Sequence, residues 1–255
     1  MSCRQISPLA RIGADVRIGE HTTIHDDVVI GDGVTIGDCC VIGSARTREG
    51  EPRILEIGPG STIRSHTAVY GGSRFGPGLQ TGHHVLIREN TRAGTGLRVG
   101  SYTDIEGDCA LGDYVSCHSY VHIGKGSRIG DFVWLYSQVT LTNDPLPPSF
   151  VERPAVLEDG VVVCVGAIVM PGTHMNAGSY ATAGTLVQGE IPEGAVVAGR
   201  DSTVVGHVSR LFDLQTMTRH PWMRHYAERY PAEARERIRL LGERIQASRA
   251  AFTKD

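Results

Sequence analysis

Isoleucine returns every sixth residue at the start of the chain, at Ile6, Ile12, Ile18, Ile24, Ile30, Ile36 and Ile42. Four residues after most of these stands a small or branched partner: Val16, Thr22, Val28, Val34, Cys40. Gly13, Gly19, Gly31, Gly37 and Gly43 follow their isoleucines directly. After an interruption the pattern resumes from Ile57 through Val69, Ile87, Ile105 and Ile123 to Leu141. After a second interruption it runs from Leu157 to Val187. The three blocks hold seven, fifteen and six hexads, 28 in all.

A period of six matches neither a helix nor a simple alternating strand. It fits a short strand followed by a turn, with both marked positions pointing inward, two residues apart. Three such strands close a triangular coil of 18 residues. The hexads therefore predict about nine stacked coils, at the strand spacing of about 4.8 Å. Residues 18 apart then sit one above another. Residues 43–56, carrying Arg46, Arg48, Glu49, Glu51 and Arg53, and the proline-rich residues 142–156 break the period and are expected to protrude as loops. The expected division is a β-helix over 1–200 and a helical extension over 201–255. Within the extension, His207 to Arg219 reads as a helix. Pro231 opens a second one, whose seam of Ile238, Leu241, Ile245, Ser248 and Phe252 is expected to close the open end of the coil stack.

Composition narrows the function. A net charge of -3 offers no basic surplus for nucleic acid. No apolar run is long enough to span a membrane. None of the six cysteines forms a Cys-x-x-Cys pair, and Cys40, Cys109 and Cys117 fall on inward positions, so a reduced, cytoplasmic protein is expected.

Two stretches carry a resemblance: Thr81-Gly82-His83-His84-Val85-Leu86-Ile87-Arg88-Glu89-Asn90 and Leu141-Thr142-Asn143-Asp144-Pro145-Leu146-Pro147-Pro148. With the ending Ala183-Gly184-Thr185-Leu186-Val187 and Ile191 to Gly199, they resemble hexapeptide-repeat N-acyltransferases acting on nucleotide-linked amino sugars. The resemblance implies a left-handed parallel β-helix and a homotrimer. It also implies acyl-CoA, by default acetyl-CoA, as co-substrate in the groove between subunits. Gly166, Ala167, Ala183, Gly184 and Arg200 are then the candidates for holding that co-substrate. Sugar O-acetyltransferases of the fold carry a histidine in the second stretch, and this chain has none there. The resemblance makes Asn143 and Asp144 candidates for gripping the amine or sugar; the bland alternative is turn formation before Pro145.

The coil arithmetic adds an independent set. Asp104, His122 and Thr140 form an outward ladder in which a carboxylate beside an imidazole fixes its tautomer and raises its basicity. His118 sits at the preceding corner under Tyr136, and His83 lies near that corner two coils below. His118 or His122 is the expected proton acceptor, with a structural histidine as the alternative for each. Glu89 lies three coils before Asn143, about 14 Å away, and is a candidate lining residue of the sugar end. Two other readings stand beside the transferase. One is a zinc carbonic anhydrase-like enzyme using His83 or His84, His118 and His122. The other is a non-catalytic trimeric scaffold.

Overall fold

A computed structural model describes residues 4–44, 54–215, 217–219 and 230–252. Thirty short strands wind into three parallel sheets of ten strands each, every strand pairing with the third one before and after it. Sheet A starts at Gln5–Ile6, sheet B at Arg11–Ile12 and sheet C at Arg17–Ile18. The result is a parallel β-solenoid of ten turns.

The register is the predicted one. Ile105 lies over Ile87 and Ile123 over Ile105, and all three are wholly buried. Within a strand the residue between two inward positions points out, as Val29 does between Val28 and Ile30. The cysteines behave as small core residues. Burial pushes the Cys109 thiol up to about 11 and the Cys117 thiol up to about 12. All five described cysteines are free.

Corners are where the sequence is most constrained. A Cβ at Gly37 would stand 2.6 Å from the Ser65 backbone nitrogen in the coil above, so only glycine lets the coils approach. Corner amides that the sheets leave over are met by side chains one coil on. Asp113, Asp131 and Asp159 accept from the N–H groups of Thr95, Asp113 and Asp131 at 2.7, 2.6 and 2.8 Å.

Three features differ from expectation. There are ten turns rather than nine, because Glu190–Ile191 and Ala195–Ala198 add a coil beyond Val187. That coil is two residues short, pairing His174 with Glu190 and Tyr180 with Val196, so the period of six hides it. The segment from His207 to Arg219 is not helical. Thr203–His207 pairs antiparallel with Ala195–Ala198, a 3-10 turn follows at Val208–Arg210, and Phe212–Asp213 pairs with Thr218–Arg219. The free edge of sheet C supplies backbone partners that outweigh the local helical pattern. This added strand, and not the helix, covers that sheet edge.

The helix itself is Ala232–Ser248, with Ala234, Ile238, Leu241 and Ile245 buried, as the seam predicts. It climbs the solenoid wall over the corner between sheets B and C. Tyr230 meets Tyr114 and Phe132 edge-on at 5.2 and 5.5 Å. Arg237 bridges Asp113 and Asp131 and lies over the Phe132 ring. Burial works to raise Asp113, but its bonds to Arg237 and the Thr95 amide prevail and hold its carboxyl below the usual range. Higher up, Ser248 meets the buried His207 at 3.1 Å. The loop over 142–156 protrudes as expected; most of the first loop, 45–53, lies outside the described residues.

The helix seat gives a sharp test. A Cβ at Gly178 would stand 2.2 Å from Ile245 Cδ1. Gly178→Ala should therefore lift the helix and expose it to protease, while the solenoid keeps its strand circular dichroism. Ile105→Ala, by contrast, should destabilise the solenoid itself by about 2–5 kcal/mol, read as a lower melting temperature.

Candidate functional site

The outward face of sheet A carries three successive polar rungs set in an apolar column. Asp104, His122 and Thr140 stack in register, with Leu86 below and Ile168 and Leu186 above. His122 Nδ1 lies 2.8 Å from Asp104 Oδ2. With Nδ1–H donating to the carboxylate, neutral His122 presents the lone pair of Nε2 away from the sheet. The hydrogen bond to Asp104 raises the His122 pKa against the opposing effect of burial.

His118 stands at the corner between sheets C and A. Its ring stacks on Tyr136 at 4.5 Å and lies 6.1 Å from Trp134. Burial lowers its pKa. The two histidines, four residues apart on one coil, are thus tuned in opposite directions. His83 lies lower on the same corner, exposed, its N–H bonded to Ser101 Oγ at 3.0 Å. Beside it runs a ladder of rings, His66, His84, Tyr102 and Tyr120, with centroids 4.6, 5.0 and 5.0 Å apart. Each of these four residues holds a positive φ, near 60°, a conformation that L side chains adopt rarely.

Asn143 and Asp144 occupy the opposite corner, between sheets A and B. Asn143 Nδ2 reaches Lys125 O at 3.4 Å, and its own carbonyl accepts from Arg153 N at 2.7 Å. The Asp144 carboxylate accepts from Leu146 N, Ser149 N and Ser149 Oγ at 3.0, 2.8 and 2.5 Å. The Ser149 bonds hold its pKa below the usual range. Lys125 Nζ ties the base of the loop to Glu152 at 2.9 Å. Asp144 thus folds the loop, and the width of sheet A separates it from His118. Glu89 is paired with Arg88 at 2.8 Å.

Comparison with known proteins follows this geometry. Residues 9–44 match the family described as bacterial transferase hexapeptide (six repeats). The match falls on the first block of hexads. A curated relative, the 2,3,4,5-tetrahydropyridine-2,6-dicarboxylate N-acetyltransferase of Staphylococcus aureus, is 34% identical over 67 residues, 26% of this chain and 27% of the relative. The match spans only about a quarter of that relative's length. The solved Arabidopsis UDP-N-acetylglucosamine acyltransferase is similar over 99% of this chain and 96% of its own, with a TM-score of 0.61 and 14% identity, which shows a shared fold.

On the hexapeptide wall the candidate co-substrate residues fare unequally. Ala167 is buried, its N–H bonded to Cys164 O and its carbonyl accepting from Thr140 N, so it has no backbone group to offer a ligand. Gly166 and Gly184 spend their N–H groups on Ser137 O and Val165 O, but a Cβ at either would meet nothing within 4 Å. Ala183 and Arg200 are exposed. The histidine set suggested for zinc does not converge within one chain. His84 stacks between His66 and Tyr102, His122 holds Asp104, and among the described residues no three His, Cys, Asp or Glu side chains come together.

Sequence reasoning missed the sheet C column of Arg98, Ser116 and Trp134, though its members are 18 apart like the Asp104 ladder. The role of Asp144 is testable directly. Asp144→Ala should speed protease cleavage within 144–151 several-fold while leaving the solenoid's melting temperature within about 0.5 kcal/mol equivalent, as for a surface change. A loop equally resistant in both proteins would contradict that role.

Proposed function

We propose that this chain is an acyl-CoA-dependent N-acyltransferase that acylates, by default acetylates, the amino group of a nucleotide-linked amino sugar, working as a cytoplasmic homotrimer. The observation that carries the reading is the Asp104–His122 pair, which leaves an oriented Nε2 on an outward face beside His118. The hexapeptide transferase match and the N-acetyltransferase relative support the reaction type. The chain has no histidine between 142 and 156, which favours an amine over a hydroxyl as acceptor.

The chemistry is simple in outline. The amine attacks the thioester carbonyl, a C–N bond forms, the C–S bond breaks, and coenzyme A leaves as its thiol. The amine proton passes to His122 Nε2, Asp104 stabilises the imidazolium, and the imidazolium returns that proton to the departing thiolate. His118, kept neutral by burial, is the second acceptor in reach of the same corner. Asn143 grips the sugar from the opposite corner of a neighbouring subunit, since one chain cannot bring Asn143 and His118 together. The distribution of surface supports such a neighbour. Sheet B presents Arg74, Arg92 and Arg128 outward, whereas sheet A presents Val41 and Ile168, 37% and 40% exposed. Glycines 166 and 184 leave room along the upper coils for a pantetheine arm.

Screening acyl-CoAs against nucleotide-linked amino sugars for thiol release tests this. Turnover with an amino sugar is expected, and His122→Asn should lower kcat at least a hundredfold. Because His122 must be neutral to accept a proton, activity should fall with decreasing pH. Asp104→Asn, by removing the group that raises the His122 pKa, should move that acid limb to lower pH and reduce kcat. Thiol release only with an amino dicarboxylate would move the acceptor toward that of the curated relative. No release with any acceptor would favour a scaffold.

A further inference from the structure

The last turn of the helix Ala232–Ser248 is pinned by a histidine that the transferase reading does not use. His207 ends the strand Thr203–His207, opposite Ala195, and is 1% exposed. Its seat is tight. A Cβ at Gly194 would stand 2.3 Å from His207 Nε2 and 3.0 Å from Ser248 Oγ, so a side chain there would force the two apart. The Phe252 ring lies 5.1 Å away on the helix side.

The hydrogen bonds fix where the ring carries its proton. Ser209 N–H donates to His207 Nδ1 at 3.2 Å, capping the 3-10 turn Val208–Arg210. A backbone N–H can only donate, so Nδ1 holds a lone pair. The ring proton is then on Nε2, which meets Ser248 Oγ at 3.1 Å. Ser248 passes the chain on to Ile245 O at 2.8 Å. Strand, turn and helix are therefore joined through one neutral imidazole in one tautomer.

A second proton is badly received. On Nδ1 it would face the Ser209 N–H, donor against donor. The Ser209 hydroxyl, 2.8 Å from Nδ1, can turn to accept it, but the amide cannot. The charged groups facing the ring are Arg210 in its own turn, Arg249 just past the helix and Glu193 at the last corner. Glu193 already binds Arg244 at 2.7 Å. Burial, helped by Arg249 and Arg210 and opposed by the Ile245 carbonyl and Glu193, holds the His207 pKa below the ordinary range.

What the helix covers gives the seat a consequence. Ala234, Ile238, Leu241 and Ile245 are buried in one cluster with Phe132, Ala177, Val196 and Val208. Lifting the helix would bare an apolar patch on the solenoid wall. Its other clamps, Arg237 on Asp113 and Asp131 and Arg244 on Glu193, are carboxylate pairs. Carboxylates as a class titrate about two pH units below histidine, so the histidine acts first as the medium is acidified.

We propose that His207 is an acid-sensitive latch, whose protonation undocks the helix Ala232–Ser248 and bares the apolar wall beneath it. The latch goes beyond the transferase reading and does not depend on it. Its sign follows from linkage. The undocked histidine takes up a proton near its ordinary value, about 6.5, and the docked one only at lower pH. Docking is at full strength above the ordinary value and is lost as pH falls from there through the docked one.

Hydrogen exchange of the full-length chain, read by mass spectrometry and corrected for the intrinsic rate, tests this. Between about pH 7.5 and about pH 5, protection of the helix should drop roughly tenfold, as one linked proton allows, while solenoid peptides keep theirs. A dye for apolar surface should begin to bind over the same range. His207→Asn keeps an acceptor for the Ser209 amide and does not titrate, so its helix protection should be the same at both values. If that variant is unprotected at both, the ring resonance of wild-type His207 decides. A midpoint that coincides with the loss of protection upholds the latch, and one that does not refutes it. Constant protection or no dye binding in wild type, or the same acid loss in His207→Asn, would overturn the proposal.

Discussion

Backbone hydrogen bonds between successive coils hold this chain together, and they fix which residues meet. Each coil donates to the one above through groups 17 residues apart, as Arg88 N does to Ile105 O, Glu106 N to Ile123 O and Gly124 N to Leu141 O. Because the bonds are parallel and repeat at every turn, a slip in one coil would carry every later inward side chain out of the core. The buried columns and the bonded columns therefore enforce each other. Chemistry on such a scaffold is a matter of which residues share a column.

That constraint explains how two histidines on one coil acquire opposite character. His122 belongs to a column that contains a carboxylate directly beneath it, and gains a partner for its protonated form. His118, four residues earlier, falls in a column of rings and gains only burial. It also explains why Asn143 and Asp144 lie apart from both. The loop that carries them leaves from the other corner of sheet A, and Asp144 turns its carboxylate back into the loop.

The six-residue period makes the solenoid readable because burial and backbone pairing impose the same repeat on it. The Asp104–His122 and His118–Tyr136 contacts were legible for the same reason, each pair being 18 apart. Where the period is broken, legibility ends. The last coil is two residues short, so its strands fall outside the count of hexads. The Thr203–His207 strand answers to an open sheet edge, which local propensity does not encode, and the adjoining segment read as helix. The helix Ala232–Ser248 was visible from its seam, yet its seat was not. That seat is chosen by Gly178, by the Phe132 and Tyr114 rings, and by two aspartates whose main task is capping corner amides.

The most direct test of this account is an NMR titration of the His122 imidazole in wild type and in Asp104→Asn, with His122→Gln to assign the resonance. The column geometry predicts a wild-type midpoint above that of an ordinary histidine and a clear fall when Asp104 loses its charge. The same midpoint in both proteins would mean that Asp104 and His122 do not meet, and the coil register that places the proposed proton acceptor would be wrong.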